Sequence, residues 1–250
     1  MAAPITVWRT LALVYRRLDV SWRDGLKRRT SRYEMGAEEV AALRGVLDGV
    51  PGAVVEWSEG NASLEPFDVK LTDRPLTTMT LSGPGRWWIA PDDCRQELDV
   101  LAPEGRYDSI IVIWGSDGAI PLCGWGCSIG PSRAANGAGF SSIVNDAWRG
   151  YGQRLHPEEG FVHEWLHQVE AVYRELGVDG VRFPTLHEVE GRTSCRSTDL
   201  PPFGAFYPEY ERQTGTWQPW YRDLMTGTVR PPDGGPCQGM TSEAWALRGR

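Results

Sequence analysis

His163-Glu164-Trp165-Leu166-His167 sets two imidazoles four residues apart, with a carboxylate beside the first. On a helix, side chains at that spacing stack on one face. Both rings can then offer a nitrogen to one zinc ion, with Glu164 placed to take a proton from metal-activated water. The flanks predict such a helix. His156-Pro157-Glu158-Glu159 has proline where a first turn tolerates it and carboxylates where the helix dipole favours them. Val162, Leu166 with Trp165, Val169, Val172 and Leu176 recur at helical spacing, and Gly177 is a natural stop. His163, His167, Glu170 and Arg174 form a polar stripe beside the apolar one. The plain alternative is an amphipathic helix with two ordinary histidines; their place on the polar stripe favours the metal.

A catalytic zinc usually takes three protein ligands and water, so a third ligand must come from elsewhere. His187 is the preferred candidate and Glu190 the alternative. Thr185-Leu186-His187-Glu188 has the pattern of a capping box, predicting a short helix with His187 and Glu190 on one face. Either can instead orient the other. Glu170 is expected behind His167, and Asp199, Glu209 and Asp223 are weaker candidates. Tyr173, Tyr207, Tyr210 and Tyr221 are candidate donors to a developing oxyanion, with Tyr221 preferred. Met225 reads most simply as a core residue.

The elements that must position these groups follow from periodicity. Thr6–Tyr15 reads as a strand, and 16–32 as a charged loop. Ala37–Leu47 reads as a helix ending near Gly49 and Pro51. Ala53–Trp57 and Phe67–Leu71 read as strands, whereas Leu76–Ile89 gives no clear pattern. Asp92–Leu101 reads as a helix, and Asp108–Trp114 as a central, fully buried strand. Gly115–Gly139 reads as irregular. Ala138–Val144 is expected to be an edge strand, able to hold an extended peptide, or else a loop entering the motif helix. Beyond Gly177 the chain is dense in Pro, Gly and aromatics, with short helical pieces.

With 250 residues the chain can form one large domain or two small ones. A net charge of −7 weighs against nucleic acid or an anionic membrane as partner. No apolar run reaches the length of a membrane span. The start shows no signal peptide, so the expected compartment is cytoplasmic if Met1 is native and secreted if a signal was removed. Five cysteines leave at least one unpaired within the chain. For Cys123 and Cys127 a local disulfide is slightly preferred over a second metal site or two buried thiols. Most of the twelve tryptophans are expected in the core or at its rim.

H-E-x-x-H late in a mixed α/β half, before a less regular C-terminal half, resembles the zincin metallopeptidases. The resemblance implies an α+β, zincin-like fold, with a mixed sheet and helices in residues 1–177 and an irregular subdomain over 178–250 completing the metal site. It implies Zn2+ in a cleft between the halves, a peptide or protein substrate, and Glu164 as general base. A monomer is expected. Glu170 and Tyr173 stand where the metzincin pattern has Gly and His, and no E-x-x-x-D lies the twenty or more residues downstream that the gluzincin pattern wants. Two other readings are a metal-dependent tailoring enzyme acting on a small molecule, and a non-catalytic peptide- or sugar-binding protein on the same scaffold. Intact Glu164 argues against the second.

Overall fold

A computed structural model describes residues 5–83, 85–123, 126–145, 148, 156–176, 186–187, 194–196, 216–231 and 233–249. Its strands are β1 (Thr6–Trp8), β2 (Thr10–Tyr15), β3 (Arg17–Asp24), β4 (Lys27–Glu34), β5 (Ala62–Leu64), β6 (Asp68–Thr72), β7 (Thr80–Gly83), β8 (Arg86–Trp88), β9 (Ser109–Trp114), β10 (Gly126–Ile129) and β11 (Gly139–Val144). The helices are α1 (Ala37–Trp57), α2 (Arg95–Leu101), α3 (Glu159–Glu175), α4 (Gln218–Thr226) and α5 (Ser242–Ala246). Among the described residues, the central sheet runs β10-β11-β9-β2-β6. Four of its strands are parallel, and β10 lies antiparallel on the outside of β11. No helix among the described residues is long and apolar enough to cross a membrane.

β2, β9 and β11 are buried at every residue because both of their faces are covered. Ala12, Val14, Ile111, Ile113 and Ile143 pack on the side of α1, α3, α4 and α5. Leu11, Leu13, Tyr15, Ile110, Val112 and Phe140 pack on the opposite side, with α2 and the β3–β4 hairpin. The C-terminal helices share the first of these cores with the N-terminal half: Trp165 of α3 meets Trp8 edge-on at 5.5 Å and stacks on Trp245 at 6.1 Å.

Several expectations need correction. Residues 17–34 form a hairpin, not a loop. Leu18, Val20 and Trp22 are buried while the residues between them face outward, and the many charges concealed that alternation. The helix beginning at Ala37 runs through Pro51 to Trp57, so Ala53–Trp57 is not a strand. A proline inside a helix costs about 3 kcal/mol. Burial of Val50, Val54 and Trp57, each worth about 1.5–3 kcal/mol, outweighs it. The unassigned stretch before Ile89 holds the β7–β8 hairpin. β11 is interior to the sheet; the edge belongs to β10, in a segment expected to be irregular. Leu176 is 48% exposed and not part of the buried stripe.

Glu59, in a left-handed turn (φ 54°) after α1, ties the N-terminal half to the C-terminal one. It accepts hydrogen bonds from Arg196 and, at 2.9 Å, from Arg222 of α4. Those bonds, Arg196 first, lower its carboxyl from 4.5 to about 2. A lowered folded-state pKa stabilises above the ordinary value, and that contribution is lost as pH falls through the folded one. Exposed ion pairs are worth about 0.2–1 kcal/mol, so Glu59→Gln should lower the melting temperature at neutral pH by no more than about 2–4 °C. Between pH 4.5 and about 2 the wild-type and variant melting curves should converge; a constant gap across that range would show that the carboxylate charge is not what matters.

Candidate metal centre

The motif helix α3 is held at its start by a buried carboxylate. Glu159, fully inaccessible, accepts hydrogen bonds from the Thr216 hydroxyl and from the backbone N–H groups of Trp217 (2.6 Å) and Gln218 (2.9 Å). A negative charge at the opening turn of α4 satisfies N–H groups with no partner inside that helix. The two helices therefore start from one point, and Tyr221 of α4 comes to rest against His163.

His163 and His167 face each other with their Nε2 atoms 3.2 Å apart. His187, arriving from the C-terminal half, completes the group: one ligand atom from each ring lies within 4.8 Å of the others. The outer nitrogens are occupied. His163 Nδ1 is 3.1 Å from the Tyr221 hydroxyl, and His167 Nδ1 is 3.3 Å from Glu170 Oε2. Partners on Nδ1 fix the ring and leave Nε2 for a metal, as is usual for ligating histidines. These three residues fit a zinc ion by donor type and convergence. His156, the fourth histidine, instead packs edge-on against Trp57 at 5.5 Å.

Glu170 does more than orient one ring. Its Oε1 accepts the backbone N–H of Leu186, so a single carboxylate holds His167 and the residue preceding His187 together. It therefore sits behind the site, as expected from the sequence. Tyr221 is fully buried behind His163, away from the cleft. Tyr173 donates its hydroxyl proton to the Trp245 carbonyl at 3.1 Å. Met225 is a core residue, and Asp223 accepts from the Thr228 hydroxyl at 2.7 Å outside the histidine group. Glu190, Thr185, Glu188, Asp199, Tyr207, Glu209 and Tyr210 lie outside the described residues.

Glu164 is buried, and its surroundings come from β10. Ser128 of β10 donates its hydroxyl proton to Glu164 Oε2 at 2.5 Å, while Ser141 of the neighbouring β11 donates to the Glu164 carbonyl at 3.1 Å. β10 can lie this close because it meets α3 through glycines. A Cβ on Gly126 would stand 2.5 Å from the Glu164 carboxyl, and one on Gly130 would overlap Ala171. Ser128 carries little signal in the sequence: only its alternation with Gly126 and Gly130 marks it, once a strand is placed there.

Burial raises the Glu164 carboxyl above the usual range, against the opposing pull of His167 and Ser128. Burial, with His167 and His187 alongside, pushes the His163 imidazole well down, towards the neutral form that a metal requires. Burial would lower His167 too, but Glu170 and then Glu164 lift it above its ordinary value. The histidines, Glu164, Ser128, Cys123 and Cys127 line one cleft of about 480 Å³. Cys123 and Cys127 are free, half-buried thiols here, so the preferred local disulfide is not formed; the disulfide present joins Cys195 to Cys237. Compared with models of known protein families and with curated protein sequences, this chain matches none.

If the three histidines hold zinc, with Glu170 tying His167 to the His187 segment, Glu170→Ala should weaken zinc binding by about 10–100-fold without abolishing it, the usual cost of losing an outer partner. Competition titration against a chromogenic chelator measures this. Unchanged affinity would mean that the carboxylate does not set the ligand geometry.

Proposed function

We propose that this chain is a zinc-dependent hydrolase, and specifically a metallopeptidase, with His163, His167 and His187 as the zinc ligands. The observation that carries the reading is the convergence of three imidazoles on one point beside a buried carboxylate. Zinc held there supplies Lewis acidity, acidifying water and polarising a carbonyl. Glu164 accepts the proton from the attacking water and returns it to the leaving amine. Its raised pKa brings it nearer to neutrality, where a group that both takes and gives a proton works best. Ser128 keeps the carboxylate aimed through Oε2, and Gly126 keeps the space beside it open.

Tyr221 serves this mechanism by fixing the His163 ring rather than by touching substrate. A peptide substrate is favoured by β10, which flanks the cleft at the open edge of the described sheet. Its outer backbone groups can pair with an extended chain, and the catalytic glutamate lies directly across from it. The Cys195–Cys237 disulfide suits a protein working in an oxidising compartment.

The protein prepared without chelators should carry about one zinc per chain by elemental analysis. Glu164→Gln should keep that zinc while hydrolysis of a peptide library falls by about 10²–10⁴-fold. His187→Ala should lose zinc, whereas Glu190→Ala should retain it. The opposite pattern, with zinc kept in His187→Ala and lost in Glu190→Ala, would make the site a two-histidine, one-carboxylate centre. Full activity of Glu164→Gln would remove it as the base.

A further inference from the structure

Cys123 and Cys127 are the reactive-type groups of the cleft that the hydrolytic reading leaves unused. Their sulfurs stand 3.6 and 3.7 Å from one hydroxyl, Ser82 Oγ of the β7–β8 hairpin. Both are half-buried and both border the cleft, whereas Cys94 is sealed in the core with its thiol donating to the Pro91 carbonyl at 3.4 Å. Side chains alternate along β10, so its residues divide between two faces. Gly126, Ser128 and Gly130 face α3 and Glu164. Cys127 therefore faces the other way, towards Ser82, as does Ile129, which packs in the core on that side of the sheet.

We propose that Cys123 and Cys127 are an exchangeable dithiol on the rim of the metal cleft, closing to an intramolecular disulfide by reaction with a small-molecule disulfide. One thiolate attacks the reagent, forming a mixed disulfide and releasing one thiol. The second then displaces the remaining thiol, so two protein S–H groups are oxidised and one reagent S–S bond is reduced. Burial raises the Cys127 thiol to about 11, which makes it slow to enter as the attacking thiolate and suits it to the resolving step. The closed bond takes both sulfurs from Ser82 and ties down the chain on either side of Gly126, the residue lying against the Glu164 carboxylate. Oxidation thereby sets how the edge strand abuts Glu164. The proposal rests on the thiol geometry and not on the hydrolase reading.

The test is differential alkylation and peptide mass spectrometry of the whole protein, incubated with oxidised or with reduced glutathione. With oxidised glutathione, the peptide spanning Cys123 and Cys127 should escape alkylation and be lighter by two hydrogens, and dithiothreitol should reverse this. Cys94 should still alkylate after unfolding. Cys127→Ser should trap glutathione on Cys123; should that variant not fold, the wild-type mass decides alone. Recovery of both thiols alkylated, separate adducts without an internal bond, or bonds between chains would overturn the proposal. So would zinc alone protecting both thiols without loss of hydrogen, which would make the pair a metal site.

Discussion

Three carboxylates of one helix, Glu159, Glu164 and Glu170, are all buried. Burying a carboxylate is costly unless hydrogen-bond donors surround it, and the rest of the molecule is arranged to supply them. Glu159 draws its donors from the start of α4, Glu164 from β10, and Glu170 from the backbone at Leu186. Each bond brings a different part of the chain to α3. The first carries Tyr221 to His163, the second sets the sheet edge against Glu164, and the third delivers His187. The helix that carries His163 and His167 is thus also the one to which the C-terminal half is fastened.

The site has an electrostatic tension that a cation would resolve. Two Nε2 atoms at 3.2 Å can share one proton between them but cannot both carry one. Glu170 favours charge on His167, while burial disfavours it on His163. A divalent ion at the meeting point of the three rings would take the place of that shared proton and offset the surrounding carboxylates. Neutral imidazole is the ligating form, and burial favours that form at His163.

Much of this was legible in the sequence. The spacing of His163 and His167, the apolar stripe through Val169 and the run from Asp108 to Trp114 each report a local period, and the structure keeps all three as elements. His187 was singled out as a histidine soon after the motif, and the structure brings it to the other two. Tertiary effects hid the rest. Pro51 signals the end of a helix, yet burial of Val54 and Trp57 carries α1 past it. Leu18, Val20 and Trp22 alternate as a strand should, but the charged residues of the same strand, Arg17, Asp19, Arg23 and Asp24, disguise them. Ser128 acquires meaning only when Gly126 and Gly130 let β10 touch α3, a fact of packing that no local pattern encodes.

Zinc K-edge X-ray absorption, on reduced protein loaded with one equivalent of zinc, examines the metal centre most directly. Three imidazole nitrogens at about 2.0–2.1 Å and one oxygen, with the outer-shell pattern of three rings, are what this account predicts. A sulfur shell at about 2.3 Å would place Cys123 or Cys127 on the metal and contradict it. Evidence for only two imidazoles would exclude His187 as the third ligand.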